Sequence, residues 1–278
     1  MSETKGGPHV EVPGGQLAYE EAGSGIPIVL LHEGIADRRV WNREFPLLAK
    51  RYHVVRYDQR GFGGSSPATH PFSFVDDLAA VVRELRLERP VIVGPSMGGA
   101  IAMDYALAHP TELRGLFLLA PGLSGMELEM DPEGKEAFDY DERESRAIAA
   151  AWSAGNREAA FEGLRKLWCA ALTGSALELF RTMVWENTSE VFDSTSERLA
   201  ERRAPPAAPR LPSMHTPTQV LVGDRDNPCC PRLAMLIAKQ VPGARLTPIA
   251  GADHLINLSQ PQSFDRELAA FLDRVGGA

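Results

Sequence analysis

The sequence predicts a doubly wound, mostly parallel α/β sheet interrupted by one helical insertion, and three observations lead there. Six short apolar, β-branched runs recur along the chain; helical stretches alternate with them; and the alternation stops between residues 124 and 212, then resumes. Continuous apolar strands belong to a sheet buried on both faces, and strand–helix alternation implies right-handed crossovers between parallel neighbours.

In chain order, "VEVPGGQLAYEEAG" (10–23) alternates apolar and polar residues around Pro-Gly-Gly, which suits an antiparallel hairpin at the sheet edge. "IPIVLLH" (26–32) reads as the first parallel strand, "RVWNREFPLLAKR" (39–51) as a helix and "YHVVRYD" (52–58) as the next strand. A helix over "SFVDDLAAVVRELRL" (73–87), a strand over "PVIVG" (90–94), a helix over "MGGAIAMDYALAHP" (97–110) and a strand over "LRGLFLLA" (113–120) follow. Residues 124–212 then carry helical patterns without a strand: "KEAFDYDERESRAIAAAWSAG", "NREAAFEGLRKLWCAALTG" and "SALELFRTMVWEN". The Pro-rich "APPAAPRLPSMHTP" (204–217) has the composition of a linker. Strands return in "TQVLVGD" (218–224) and "ARLTPIAG" (244–251), and "PQSFDRELAAFLDRV" (261–275) closes the chain as an amphipathic helix. The expected organisation is a core of residues 1–123 and 213–278 with a helical cap, or lid, inserted at 124–212.

Composition narrows the partners. A net charge of −8 with no Lys/Arg run argues against nucleic acid and anionic membrane surfaces. No apolar run approaches the roughly 20 residues of a membrane span, and "MSETKGGPHVEVPGG" lacks the order of a secretory signal. The expected location is cytoplasmic, with self-association left open. Cys169, Cys229 and Cys230 are few, odd in number and without metal-ligand spacing, so they read as reduced, incidental thiols. Neither a metal nor an organic cofactor is called for.

The chemistry-bearing segment is "VIVGPSMGGAIAM" (91–103): strand, G-x-S-x-G, helix. A turn that lifts a serine above the carboxyl edge of a sheet strains its backbone, and the small neighbours Gly94 and Gly98 relieve the crowding. The helix starting at Met97 adds unpaired amides and the positive end of its dipole beside the hydroxyl. A serine hydroxyl needs a base, and the base needs an acid that fixes its tautomer. "VLVGDRDNP" ends a strand in Asp224 and Asp226, and "PIAGADHLINLSQP" places His254 in the loop after the next strand, followed by Leu255. The order Ser, Asp, His along one sheet edge suits a catalytic triad. Other histidines compete less well. His109 ends the helix after Ser96 and suits capping its carbonyls; His9, His53, His70 and His215 lie in turns, strand starts or the linker with no matching acid.

With these segments the chain resembles the α/β-hydrolase fold superfamily, in its branch of cap-bearing serine esterases, enol-lactonases and C–C bond hydrolases. The resemblance covers nearly all of the core and is weak over the inserted helices. It implies that the acid follows its strand as G-x-x-D, which selects Asp226 over Asp224, and the alternative acid position after "LLAPGL" has no carboxylate before Glu127. "YDQRGFGGS" (57–65) matches the family's D-x-R-G-x-G-x-S loop, a scaffold turn in which Asp58 and Arg60 are expected to pair. A serine nucleophile argues against the dehalogenase and epoxide-hydrolase members, and the Gly-Gly-Ser-Trp elbow of the proline iminopeptidases is absent.

Two backbone N–H groups are needed to receive the oxyanion. One belongs to Met97. The other comes from the loop after the first parallel strand, which in the family begins His-Gly-x and here reads "HEGIADRRVW" (32–41). Counting from His32 makes Gly34 the donor; a shifted loop would use Ile35. His32 reads as the residue that orients this loop. Glu33 replaces the family glycine, and a carboxylate aimed at an oxyanion would oppose catalysis. It is expected either to pair with Arg38 or Arg60, or to line the pocket and discriminate among substrates. Glu33, Ile35, Trp152, Trp168, Trp185 and Leu255 are the pocket candidates, although most aromatic residues of the insertion should form its own core. The acidic segment "MELEMDPEGKEAFDYDERE" (126–144) would disfavour strongly anionic substrates if it faces the entrance. The resemblance implies a hydrolase of an ester or lactone, or alternatively of a ring-fission diketone. A ligand-binding receptor built on the same fold with little turnover is the alternative from another class.

Overall fold

The sheet follows from strict period-2 alternation in its central strands. A computed structural model describes residues 7–126 and 132–277. Its strands are β1 (His9–Val12), β2 (Gly15–Ala22), β3 (Pro27–Leu30), β4 (His53–Tyr57), β5 (Val91–Pro95), β6 (Gly115–Leu119), β7 (Thr218–Gly223) and β8 (Arg245–Ile249). They form one eight-stranded sheet in the order β1-β2-β4-β3-β5-β6-β7-β8, antiparallel across β1/β2 and β2/β4 and parallel elsewhere. Successive residues point to opposite faces. Accordingly Val29, Ile92, Leu116 and Leu118 enter one apolar core, and Ile28, Leu30, Val91, Val93, Phe117 and Leu119 enter the other.

Helices cover both faces. Those before the insertion are α1 (Glu44–Leu48), α2 (Phe74–Glu84) and α3 (Ser96–Ala108); those after it are α8 (Cys229–Gln240), α9 (Ile256–Ser259) and α10 (Pro261–Gly276). α2, α3 and α8 supply Leu78, Val81, Met103 and Ile237 to the first core, and α10 supplies Phe264, Leu268 and Phe271 to the second. α2 begins where the Ser73 side chain accepts from the Asp76 amide at 3.2 Å, a side-chain cap on an otherwise unpaired donor. The segment 39–51, read as one helix, is a 3₁₀ turn at Arg38–Trp41 followed by the short α1. Asp37 caps that turn by accepting from the Arg39 amide, and Trp41 donates from its indole to the Leu31 carbonyl at 2.6 Å; these side-chain bonds set the local backbone.

Between β6 and β7 the described residues form α4 (Pro132–Ser153), α5 (Arg157–Trp168), α6 (Gly174–Glu186) and α7 (Thr188–Val191). Phe161, Leu164, Phe180, Met183 and Val184 bury together, and this packing continues into the second core. The Pro-rich segment does not run free as a linker: Ala208–Ser213 is a 3₁₀ helix, and Ala207 and Leu211 are fully buried against the first core. Of the acidic stretch at the start of the insertion, residues 127–131 lie outside the described residues, as does the N-terminal hexapeptide.

The Tyr57–Ser65 loop is held otherwise than expected. Asp58 pairs with the Arg38 guanidinium and accepts from the Gly64 amide at 2.8 Å. Arg60 instead makes two bonds to Asp77 on α2, at 2.9 and 2.8 Å, and stacks on Phe72. The fork of a guanidinium matches a carboxylate in this bidentate way. Both side chains are almost fully buried. Asp77→Ala therefore leaves Arg60 as an uncompensated buried charge, and denaturant melts are expected to show a loss of about 3–5 kcal/mol.

Candidate active site

Gly94, Ser96 and Gly98 bring β5, the turn and α3 together at the carboxyl edge of the sheet. Ser96 has φ +46°, the left-handed region that a serine adopts only when its surroundings enforce it. The enforcement is visible at the glycines. A Cβ on Gly94 would come 2.7 Å from the Gly98 carbonyl oxygen, and one on Gly98 would come 2.8 Å from both the His32 carbonyl oxygen and the Leu31 side chain. The turn thus packs tightly against the loop that begins at His32.

His32 orients that loop. Its Nδ1–H donates to the Glu33 carbonyl at 2.8 Å, and its Nε2 accepts from the Gln59 amide at 2.9 Å. Burial keeps the ring's pKa below the ordinary histidine value, consistent with a neutral imidazole. Gly34 lies across from Met97: a Cβ built on it would be 3.6 Å from the Met97 sulfur. The Met97 amide, in the first turn of α3, has no acceptor within its own helix.

β7 and β8 carry the remaining partners. Close packing of their loops requires Gly223, where a Cβ would fall 2.2 Å from the Ala252 carbonyl oxygen. His254 Nδ1 lies 3.1 Å from each Asp226 oxygen. The Asp226 side chain is fully buried and also accepts from the Asn227 amide at 2.7 Å. Asp224 is exposed and accepts from the Gly251 amide at 2.7 Å, holding the turn after β8. Burial by itself depresses the basicity of His254; Asp226, with Glu33 and Asp253 nearby, outweighs it and holds the imidazole above its ordinary value.

The inserted helices reach this loop directly. The Trp168 carbonyl accepts from the His254 amide at 3.0 Å, its indole lies 4.6 Å from the imidazole, and Asp253 accepts from the Ala171 amide at 2.9 Å. A cavity of about 570 Å³ opens between the insertion and the sheet edge, and Gly34, Ile35, Ser96, Met97, Trp168 and His254 line it. Asp141, Glu190 and Glu197 line the same cavity, the Glu190 carboxylate accepting from the Ser196 amide at 2.8 Å. Asp141 belongs to the acidic segment expected near the entrance.

The structure thus gathers Ser96, His254, Asp226, Met97, Gly34, Ile35 and Trp168 at one site, and separates the other pocket candidates from the cavity wall. Trp152 stacks on Phe192 at 4.4 Å and donates to Asp193, Trp185 packs on Phe161, and Leu255 is buried in the second core. The tryptophans spend their apolar area on the insertion's own packing. Glu33 meets neither expectation: it is 1% exposed, absent from the cavity wall, and both carboxylate oxygens are buried without a hydrogen-bond partner. Arg38 and Arg60 are already held by Glu20, Asp58 and Asp77. Burial pushes the Glu33 carboxyl up to about 7. Two histidines also differ from expectation. His109 stacks on Tyr105 and pairs with Glu112 at 3.1 Å, and His53 has an acid, Glu21, at 2.9 Å across neighbouring strands.

Sequence reasoning missed Cys230, whose sulfur lies 3.7 Å from His254 Nδ1. Its signal was only its place one turn beyond "GDRDNP", where α8 begins.

A serine held at positive φ where a parallel strand turns into a helix, on a mostly parallel sheet, defines a class, and comparison with known proteins agrees: the chain belongs to the α/β-hydrolase family, whose model matches residues 28–267. Polyketide synthase ThaQ of Burkholderia thailandensis is 28% identical over 95% of this chain, which spans 12% of that much longer protein. Among solved structures, a thermophilic esterase from Thermogutta terrifontis is 28% identical with a TM-score of 0.76, over 96% of this chain and 97% of its own. Est816, described as an N-acyl homoserine lactone degrading enzyme, is 29% identical with a TM-score of 0.72, over 95% of this chain and 100% of its own. Among the described residues no helix is long and apolar enough to cross a membrane.

Proposed function

We propose that the protein is a serine hydrolase that cleaves carboxylic esters or lactones through an acyl-enzyme on Ser96. The observation that carries this reading is the cavity shared by Ser96 and His254, with the far nitrogen of His254 on the buried Asp226. In the proposed reaction His254 Nε2 takes the Ser96 proton as the hydroxyl oxygen attacks the carbonyl carbon. The amides of Met97 and Gly34 receive the oxyanion, and the same imidazole returns its proton to the leaving alkoxide. Water, deprotonated by His254, then releases the acid and restores the serine. Asp226 accepts from Nδ1–H throughout and favours the imidazolium.

Residues 124–212 act in this reading as a cap over a core of 1–123 and 213–278, with Trp168 presenting its indole to the substrate. The carboxylates of Asp141, Glu190 and Glu197 favour neutral or cationic substrates over dicarboxylates. The activities of the Thermogutta terrifontis esterase and of Est816 support the same substrate classes.

A panel of p-nitrophenyl esters, lactones and ring-fission diketones tests the assignment. Turnover of neutral esters or lactones is expected, with kcat for Asp226→Asn lowered by roughly 10⁴, by analogy with the serine-protease triad. Turnover confined to diketones would shift the assignment to C–C hydrolysis, and tight binding with no turnover of any of them would make the protein a receptor.

A further inference from the structure

We propose that Asp226, Cys230 and His254 form a binding site for a thiophilic divalent cation such as Zn²⁺, and that occupation of this site switches the hydrolase off. The inhibitory consequence rests on the triad reading; the binding itself does not. One donor atom from each residue, a carboxylate oxygen, the sulfur and Nδ1, lies within 4.8 Å of the other two. The sulfur is 3.7 Å from Nδ1, and Nδ1 is 3.1 Å from both carboxylate oxygens. Tetrahedral zinc, with bonds of about 2.3 Å to sulfur and about 2.0–2.1 Å to nitrogen and oxygen, holds neighbouring ligand atoms about 3.3–3.6 Å apart. The nitrogen–oxygen and sulfur–nitrogen pairs already stand within a few tenths of an ångström of that spacing, the sulfur and the carboxylate have to close from within 4.8 Å, and a water completes the coordination.

Supply and chemistry agree with the geometry. His254 borders the cavity, and Asp141, Glu190 and Glu197 give that cavity a field that concentrates cations. Asp141 lies beside the cluster as well, held by the Asn227 amide group at 2.6 Å. Thiolate, imidazole and carboxylate together suit zinc and its soft neighbours better than magnesium or calcium. The sequence gives no metal-ligand spacing because the donors come from two loops and the first turn of α8, and only the fold brings them together.

Binding would rearrange protons without any change of oxidation state. Cys230 releases its thiol proton to solvent as the S–metal bond forms. His254 binds the metal through Nδ1, giving up the proton held there towards Asp226 and taking one from solvent on Nε2, so the ring stays neutral. Nε2, the base of the proposed mechanism, then carries a hydrogen and has no lone pair for the serine proton, so acylation stops. Catalysis and metal binding thus require opposite tautomers of one imidazole.

The test uses Zn²⁺ in the ester assay and Co²⁺ as a spectroscopic probe. Wild-type protein is expected to bind one Co²⁺ with a sulfur-to-metal charge-transfer band, and to be inhibited by Zn²⁺ reversibly with a chelator. Cys230→Ala should lose the band and need at least tenfold more Zn²⁺ to halve its own turnover, since loss of a ligand of this kind is worth at least that factor in affinity. Cys230→Ser keeps the side-chain volume should the alanine variant fail to fold, and Cys229→Ala, altering the adjacent thiol, should behave as wild type. No charge-transfer band in wild type, or equal Zn²⁺ sensitivity in wild type and the Cys230 variants, overturns the proposal. Because Co²⁺ binding is read without substrate, a protein that shows the band yet turns over no ester, lactone or diketone would sink the triad reading and leave the metal site standing.

Discussion

Ser96→Ala is expected to lower kcat by a factor on the order of 10⁶ on any ester the wild type turns over, because without the oxygen nucleophile no acyl-enzyme forms. The residual rate should still exceed that in water by roughly 10³–10⁴, from the oxyanion donors and binding alone. Alanine inherits the φ of +46°, and the bond in which the Gly122 amide donates to the residue-96 carbonyl at 2.9 Å is main chain to main chain and does not depend on the side chain. The melting temperature should therefore stay close to wild type, separating loss of chemistry from loss of fold. Progress curves with a p-nitrophenyl ester, beside a thermal melt, check both halves.

Glu33→Gln is expected to stabilise the protein above neutral pH by about 3 kcal/mol. The Glu33 carboxyl titrates near its ordinary 4.5 when unfolded and is pushed up to about 7 by burial in the fold. Between those values the native state holds a proton that the unfolded state has released, so wild-type stability falls as pH rises through that window. Each unit of the interval amounts to about 1.4 kcal/mol. Below pH 4.5 the carboxyl is protonated in both states and the glutamine variant should match wild type; above 7 the gap should be full and constant. Urea melts from pH 4 to 8.5 measure it. Activity moves in a linked direction. Glu33 is one of the groups that raise the His254 pKa, so its neutral replacement should shift the acid limb of the kcat/KM profile to lower pH.

The same contrast explains what could be read in advance. All eight strands and the elbow were legible because each depends on local pattern: alternation in "VEVPGGQLAYEEAG", continuous apolar runs around Val29 and Ile92, and a serine between small residues where strand becomes helix. Asp226 and His254 were legible because loops after successive parallel strands share one edge of the sheet. Pairings across elements were not. Arg60 chose Asp77 on α2 over Asp58 two positions away, since only the packed loop decides which carboxylate its guanidinium meets. Trp152 and Trp185 carry the same composition signal as Trp168, and one of the three faces the cavity. Glu33 was flagged as unusual by its place beside His32, but its lack of any partner is a property of the buried space around it.

The central claim is that the Ser96 oxygen is the group that attacks. A p-nitrophenyl phosphonate ester, followed by peptide mass mapping, tests it most directly. One equivalent of p-nitrophenol released, activity lost in step, and the phosphonyl mass on the peptide containing Ser96 is the predicted result. Phosphonylation of a different residue, with turnover of carboxylic esters preserved in Ser96→Ala, would contradict it.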